Sequence, residues 1–182
     1  MLNGSFISGR PNKKLTGDIT QLLTADGALY IAGIYDCFDS ECVGMAMDGN
    51  IRDELTQNAL TMAAKRRDIK GATFHSDFGS QYTSNELKKL ARRLMIIQSM
   101  SLARLFCYGD AKCESIFGRL KVEAVYDRYD TKNMSMEAVK VLVFSYFMGC
   151  WNNRRISTAN GGLLSAVKRQ RFYEMQRLDL AA

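Results

Sequence analysis

Three acidic residues fall where a sheet and a helix could bring their carboxylates together. Asp18 lies in a β-prone run, residues 18–23. Asp77 follows the short apolar run 72–75, within HSDFGSQYTS, and Glu114 lies in the first turns of a helix, within KCESIFGRLKVE. Three converging carboxylates repel one another, and a divalent cation removes that repulsion. Ligation by oxygen alone, with few protein ligands, suits magnesium or manganese. Two such ions roughly 3.5–4 Å apart activate an attacking oxygen and stabilise the leaving oxygen of a phosphodiester. That chemistry needs no nucleophilic side chain, and the sequence offers none: His75 is the single histidine, and nothing completes a serine–histidine–acid triad. Each carboxylate alone is uninformative, since a lone Asp is commonly a turn residue and an early helical Glu serves the helix dipole. The combination and its sequence context carry the reading.

The elements that must position these residues follow from the pattern. Residues 18–23, 29–35 and 42–47 read as three short strands, with Asp26-Gly27 as a hairpin turn. Residues 52–66 have helical spacing through Leu55, Ala59, Met62 and Ala63. A strand at 72–75, a helix at 85–94 capped by Ser84, and a strand around Ile96 and Ile97 follow. Helices at 110–122, with Asp110 at the cap, 136–151 and 163–177 complete the order. Three antiparallel strands followed by alternating helices and strands imply an α/β fold, a mixed sheet covered by helices on its faces. Residues 1–13 read as a flexible N-terminal tail and 14–182 as one core with a C-terminal helical extension.

Composition sets the class. The 182 residues suffice for one domain, and 47% hydrophobic with 24% charged residues excludes disorder. No apolar run approaches the roughly 20 residues of a membrane span, and the first 14 residues lack a signal-peptide stretch, so a cytoplasmic location with no membrane partner is expected. Five cysteines at spacings that match no zinc motif imply reduced, mostly buried thiols. The net charge of +6 is uneven: residues 1–111 hold 13 Lys and Arg against 12 Asp and Glu, and residues 112–182 hold 12 against 7. A basic C-terminal part fits a nucleic-acid partner as well as it fits a charge kept for solubility.

Four stretches together resemble the catalytic region of bacterial insertion-sequence transposases that share their core with retroviral integrases. They are GDIT with ADGALYIAGIYDCF, residues 17–20 and 25–38; HSDFGSQYTS, residues 75–84; CESIFGRLKVE, residues 113–123; and WNNRRISTANGGL with KRQRFYE, residues 151–163 and 168–174. The resemblance covers nearly the whole chain from about Lys13. It implies a ribonuclease-H-like five-stranded sheet, three antiparallel strands then two parallel, flanked by helices. It implies a DDE triad of Asp18, Asp77 and Glu114 holding magnesium or manganese, two ions, for DNA cleavage and strand transfer without a covalent protein–DNA intermediate. It also implies a homo-oligomer on paired DNA ends.

Lys121 lies seven residues, two helical turns, after Glu114 and so shares its face. Similar proteins carry a basic residue there, which makes Lys121 the first candidate for a DNA backbone contact. Arg119, Arg154 and Arg155 come next. Gln81 and Tyr82 match the family run, Tyr82 being expected to pack, and the backbone at Gly79 and Ser80 is expected to turn sharply to aim Asp77.

The chain also departs from that pattern. Leu15 and Gln21 stand where similar proteins usually have tryptophan and tyrosine, and Asp39-Ser40 where a Ser-Arg pair is common. Residues 78–113 between Asp77 and Glu114 are one more than usual, with the extra residue in the apolar stretch 102–107, and Gly109-Asp110 replaces Asp-Asn ahead of the catalytic helix. The N-terminal DNA-binding region of similar proteins is expected to be missing. A second reading is therefore a truncated or decayed fragment that binds DNA without catalysis. A third, a nuclease for RNA–DNA hybrids, is disfavoured by the GSQY and NNRR runs.

Overall fold

In the computed structural model, the residues described are 8–100, 108–126 and 128–180. Strands β1 (Lys14–Thr24), β2 (Gly27–Asp36) and β3 (Cys42–Asp48) form an antiparallel meander. Strands β4 (Thr73–Ser76) and β5 (Ile97–Met100) add in parallel beyond β1, giving the order β3-β2-β1-β4-β5. Helices are α1 (Asp53–Arg66), α2 (Ser80–Thr83), α3 (Asn85–Arg93), α4 (Tyr108–Leu120), α5 (Met136–Ser145) and α6 (Ser165–Asp179). The mixed sheet and its strand directions are those expected from the sequence.

Alternation along the central strands divides the core in two, because successive side chains point to opposite faces. Leu22, Leu29, Ile31 and Tyr35 pack with Cys113, Phe117, Leu120 and Phe147 on the α4–α5 face. Leu15, Ala32, Ile34 and Phe74 pack with Leu60, Ala63, Leu87 and Leu90 on the α1–α3 face. Helix α1 approaches β3 closely at Gly44, where an added Cβ would lie 2.8 Å from Ala63 N. Only a residue without a side chain fits there.

Several boundaries differ from expectation for physical reasons. The hairpin turn consists of Ala25 and Asp26, and Gly27 opens β2 with φ 112°. Thr24 Oγ1 closes this turn by donating to Gly27 O at 2.8 Å. Ser84 does cap α3, its Oγ accepting from Leu87 N at 3.2 Å. Asp110 lies inside α4, its third residue, instead of before it. Both α4 and α5 widen into π-helical segments, Lys121–Tyr126 and Tyr146–Trp151. Residues 8–13 depart from the loose tail expected there: Ser8 and Asn12 are buried, and Asn12 N donates to Asp36 Oδ2 at 2.7 Å. The apolar stretch 102–107 lies outside the described residues.

The C-terminal part clasps the loop between β2 and β3. Trp151 Nε1 donates to Ser40 O at 2.7 Å. The Asn152 amide bonds both Cys42 N (2.8 Å) and Cys42 O (3.0 Å), as a neighbouring strand would. Asn160 Nδ2 and Ser165 Oγ both donate to Asp39 O. Arg169 is the centre of this clasp: its guanidinium reaches Asp36 Oδ2 and Asp39 Oδ2 at 2.7 Å, Glu41 Oε2 at 3.1 Å and Asn12 Oδ1 at 2.8 Å. Arg169, Asp36, Asp39 and Glu41 are all buried; Asp36 and Asp39 depend on Arg169 for compensation, while Glu41 is also paired with Arg67 at 2.6 Å.

Candidate active site

Asp18 sits midway along β1, paired across the sheet with Gly33. It shares a face with Thr16 and Leu22, the face covered by α4. The parallel pairing of Thr16 with His75 brings the end of β4 beside it, and Asp77 follows Ser76, the last residue of that strand. The two aspartates line one cleft of about 260 Å3, together with Thr20, Gln81 and Tyr82. Both carboxylates are half-buried. Asp18 Oδ1 accepts from Ile19 N at 2.7 Å, and Asp77 Oδ1 accepts from Gly79 N at 3.1 Å.

The chain after β4 sets the Asp77 carboxylate. Gly79 O accepts from Tyr82 N and Thr83 N, starting the single turn α2. An added Cβ at Gly79 would lie 3.1 Å from Asp77 Oδ1, so the close approach of backbone to carboxylate uses the missing side chain. Tyr82 is buried against Phe74, the packing role expected for it. Burial raises the Tyr82 phenol well above its ordinary range, and the charges of Asp18 and Asp77 are among the causes that raise it further. Tyr35, fully buried over Gly33, is likewise raised by burial, with Asp18 among the lesser contributors.

Glu114 follows Cys113, whose Sγ lies 3.4 Å from Thr16 Oγ1. That contact pins α4 to β1 two residues before Asp18. The Glu114 side chain is exposed and does not line the cleft of the two aspartates. Among the described residues, no three His, Cys, Asp or Glu side chains are grouped closely enough to hold a metal ion. The fold therefore brings Asp18 and Asp77 together and carries Glu114 on the helix that packs over them, with its carboxylate turned to solvent.

The basic candidates divide. Lys121 is half-buried where α4 gives way to its π-helical segment. Arg154 is exposed. Arg155, by contrast, is engaged within the fold: Nε and Nη2 donate to Glu123 at 2.9–3.0 Å, and the guanidinium lies 4.8 Å from the Trp151 ring centroid. Arg119, more than half exposed, approaches the same Glu123 at 4.0 Å. The hydrogen bonds from Arg155 hold the Glu123 carboxyl below its ordinary value, opposing its burial, with Tyr146 adding a third donor. Two lysines that motif reasoning passed over, Lys112 and Lys168, also face the surface beside α4. The signal for Lys112 was its helical spacing with Arg119. Nothing local marked Lys168.

Among the described residues the thiols are free and mostly buried, as expected: Cys37, Cys42 and Cys113 are buried and Cys150 is exposed, while Cys107 lies outside the described residues. Burial pushes Cys37 up to about 11, which suits packing more than reactivity. Among the described residues, no helix is long and apolar enough to cross a membrane.

Comparison with known proteins gives one family. Residues 8–104 match the integrase core domain. The insertion element IS600 uncharacterized 31 kDa protein of Shigella sonnei is 30% identical over 177 residues, covering 96% of this chain and 63% of that protein. Transposase InsF for insertion sequence IS3A of Escherichia coli is 34% identical over 164 residues, 90% of this chain and 56% of InsF. The chain thus spans only 56–63% of the length of these curated relatives. Among solved structures, the HTLV-2 integrase catalytic core domain in complex with magnesium superposes with TM-score 0.60 at 14% identity, covering 89% of this chain and 99% of that one. The simian T-cell lymphotropic virus intasome, in complex with PP2A regulatory subunit B56 gamma, gives TM-score 0.66 at 19% identity, covering 82% and 51%. At those identities the likeness speaks for the ribonuclease-H-like fold.

Proposed function

Because the chain belongs to the integrase core domain family, we propose that it is the catalytic core of a DNA transposase whose site is Asp18, Asp77 and Glu114. The observation that carries this reading is the shared cleft of Asp18, on β1, and Asp77, just past the end of the adjacent parallel strand β4. Their carboxylates are an oxygen-only donor set of the size magnesium takes, one or two protein carboxylates with water and substrate phosphate completing the shell. The likeness to an integrase core in complex with magnesium supports the same choice. Glu114 joins them by swinging its exposed side chain from α4 toward the cleft.

Magnesium or manganese held there, as two ions, would activate the attacking oxygen and stabilise the leaving oxygen of a phosphodiester. The protein's own part is positional. The Ile19 and Gly79 amides fix one oxygen each of Asp18 and Asp77. Gln81 presents its side chain at the cleft wall. A water or a DNA 3′-hydroxyl attacks phosphorus in line, forming the new P–O bond as the old one breaks. Lys121, Arg119 and Arg154 contact the DNA backbone, which positions the strand without reading its sequence. Arg155 acts through Glu123 and holds the end of α4 to the C-terminal clasp. The chain works as a homo-oligomer on paired DNA ends, a reading supported by trimeric and dimeric integrase cores and an intasome among its structural neighbours.

The test is strand transfer. A labelled duplex with a free 3′-hydroxyl, incubated with supercoiled plasmid, the protein and manganese, should become joined to the plasmid. No joined product at any metal concentration, with the protein folded and DNA bound, would overturn the reading.

A further inference from the structure

Helix α4 has a second charged flank, of which the proposed function uses only Arg119. Lys112, Ser115 and Arg119 recur along it at spacings of three and four residues, so they share one side. Arg119 is five residues beyond Glu114, which places this side about 140° around the helix from the carboxylate. There the helix faces the β2–β3 loop and the C-terminal clasp across a cleft of about 620 Å3, whose wall includes Lys112, Arg119, Arg155 and Lys168. No carboxylate lines it among the described residues. Of the nearby acids, Asp36 and Asp39 are committed to buried Arg169, and Glu123 to the cleft's own Arg155.

Arg155 is paired with Glu123, which Arg119 approaches at 4.0 Å, while the two lysines keep their charge available. Lys112 Nζ donates to Asp36 O at 3.3 Å, and Lys168 Nζ to Phe38 O at 2.6 Å and Asn160 Oδ1 at 3.2 Å. These are neutral acceptors, which orient the ammonium groups without cancelling them. Burial lowers the Lys168 ammonium from its ordinary value, and Lys112 adds to that lowering against the pull of Asp39 and Asp36. Ser115, Ser157 and Thr158 add hydroxyl donors to the wall. Several oriented cations with hydroxyls and no acid form an anion site, and an open cleft of this length suits consecutive phosphates.

We propose that this cleft binds the phosphate backbone of a DNA segment on the flank of α4 away from Glu114, so that α4 lies between two stretches of nucleic acid. The proposal rests on the DNA-transposase reading above and adds to it a second, non-catalytic DNA track.

The experiment uses the full chain and a fluorescent duplex, with anisotropy read across a salt series. Removing one phosphate-neutralising cation lowers the slope of log affinity against log salt by about 0.9. The pair Lys112→Gln with Lys168→Gln, which leaves Arg119 in place, should flatten the slope by about 1–2 and weaken binding about tenfold or more at low salt. Ser115→Glu, placed at an exposed position, should weaken it comparably while the thermal midpoint stays that of the parent. Unchanged slope and affinity in both variants would overturn the cleft. So would displacement of the duplex by inorganic phosphate as complete as that by unlabelled duplex at equal phosphate concentration, which would assign the cleft to a small anion. Metal-dependent plasmid nicking, compared with Asp77→Asn, is read in parallel. Nicking that persists beside an unchanged slope leaves the catalytic reading standing and removes only the second track.

Discussion

Cys113 Sγ rests 3.4 Å from Thr16 Oγ1, one residue before Glu114 on α4 and two before Asp18 on β1. This contact registers the helix that carries one proposed catalytic carboxylate against the strand that carries another. Cys113 has no exposed surface, so any extra methylenes must push helix and strand apart. Cys113→Leu should cost about 1–3 kcal/mol of stability. It should also lower metal-dependent cleavage about tenfold or more, because small misplacements of reacting groups are expensive. Cys113→Ser, which keeps the volume, should cleave close to the parent rate. Urea unfolding and nicking rates measured side by side would check both.

Gly79 makes a second registration, at Asp77. A methyl group there would lie 3.1 Å from Asp77 Oδ1, so the carboxylate must shift by a few tenths of an ångström. Gly79 has an ordinary negative φ of −59°, so alanine strains no backbone. Gly79→Ala should therefore leave the thermal midpoint near that of the parent and reduce cleavage several-fold. Equal activity in the two proteins would show that the carboxylate's setting does not depend on this approach.

The Arg169 clasp should dominate stability. Replacing Arg169 by Ala leaves Asp36 and Asp39, both fully buried, without their cation. Breaking a buried ion pair from one side costs about 3–5 kcal/mol. Arg169→Lys should recover little of this, since one ammonium cannot reach all three carboxylates in the guanidinium's geometry. Chemical denaturation of the three proteins would measure the loss.

Glu123 gives a pH signature with a definite sign. Arg155 holds its carboxyl below the ordinary value of 4.5. The folded state thus favours the ionised form. The stability this contributes is fully present above pH 4.5 and is lost as pH falls through the lowered folded value. Asp36 works the other way: burial raises it, so its contribution is lost as pH rises through the folded value. The Glu123 part is isolated by comparison with Glu123→Gln. The difference in unfolding free energy between the two proteins should be constant near neutrality and shrink in acid.

Much of this was legible from residue pattern. The apolar run 29–35 marked β2, and Ser84 marked the start of α3 through its hydroxyl. Asp18 and Asp77 stood out because a strand and a strand end in series predict adjacent positions in a mixed sheet. The fate of the C-terminal basic residues was not legible. Arg154 and Arg155 are neighbours in sequence with the same charge, yet one is exposed and the other is paired with Glu123, 32 residues away in the chain. Arg169 falls in the helix expected at 163–177 within the basic C-terminal part, yet it is a buried hub whose partners Asp36, Asp39 and Asn12 are 130 or more residues distant. Long-range pairing of this kind leaves no local periodicity. The π-helical widening after Leu120 was also hidden; Leu120, Ala124 and Val125 share a core cluster there with Tyr146 and Phe147 from the next helix.

The most direct measurement is nicking of supercoiled plasmid by the purified chain in manganese or magnesium, beside Asp18→Asn, Asp77→Asn and Glu114→Gln. Nicking that requires the metal and disappears in all three variants, each with the parent's thermal midpoint and DNA affinity, is the predicted result. Metal-dependent nicking that survives in Glu114→Gln, whose side chain points to solvent in this structure, would contradict the three-carboxylate site.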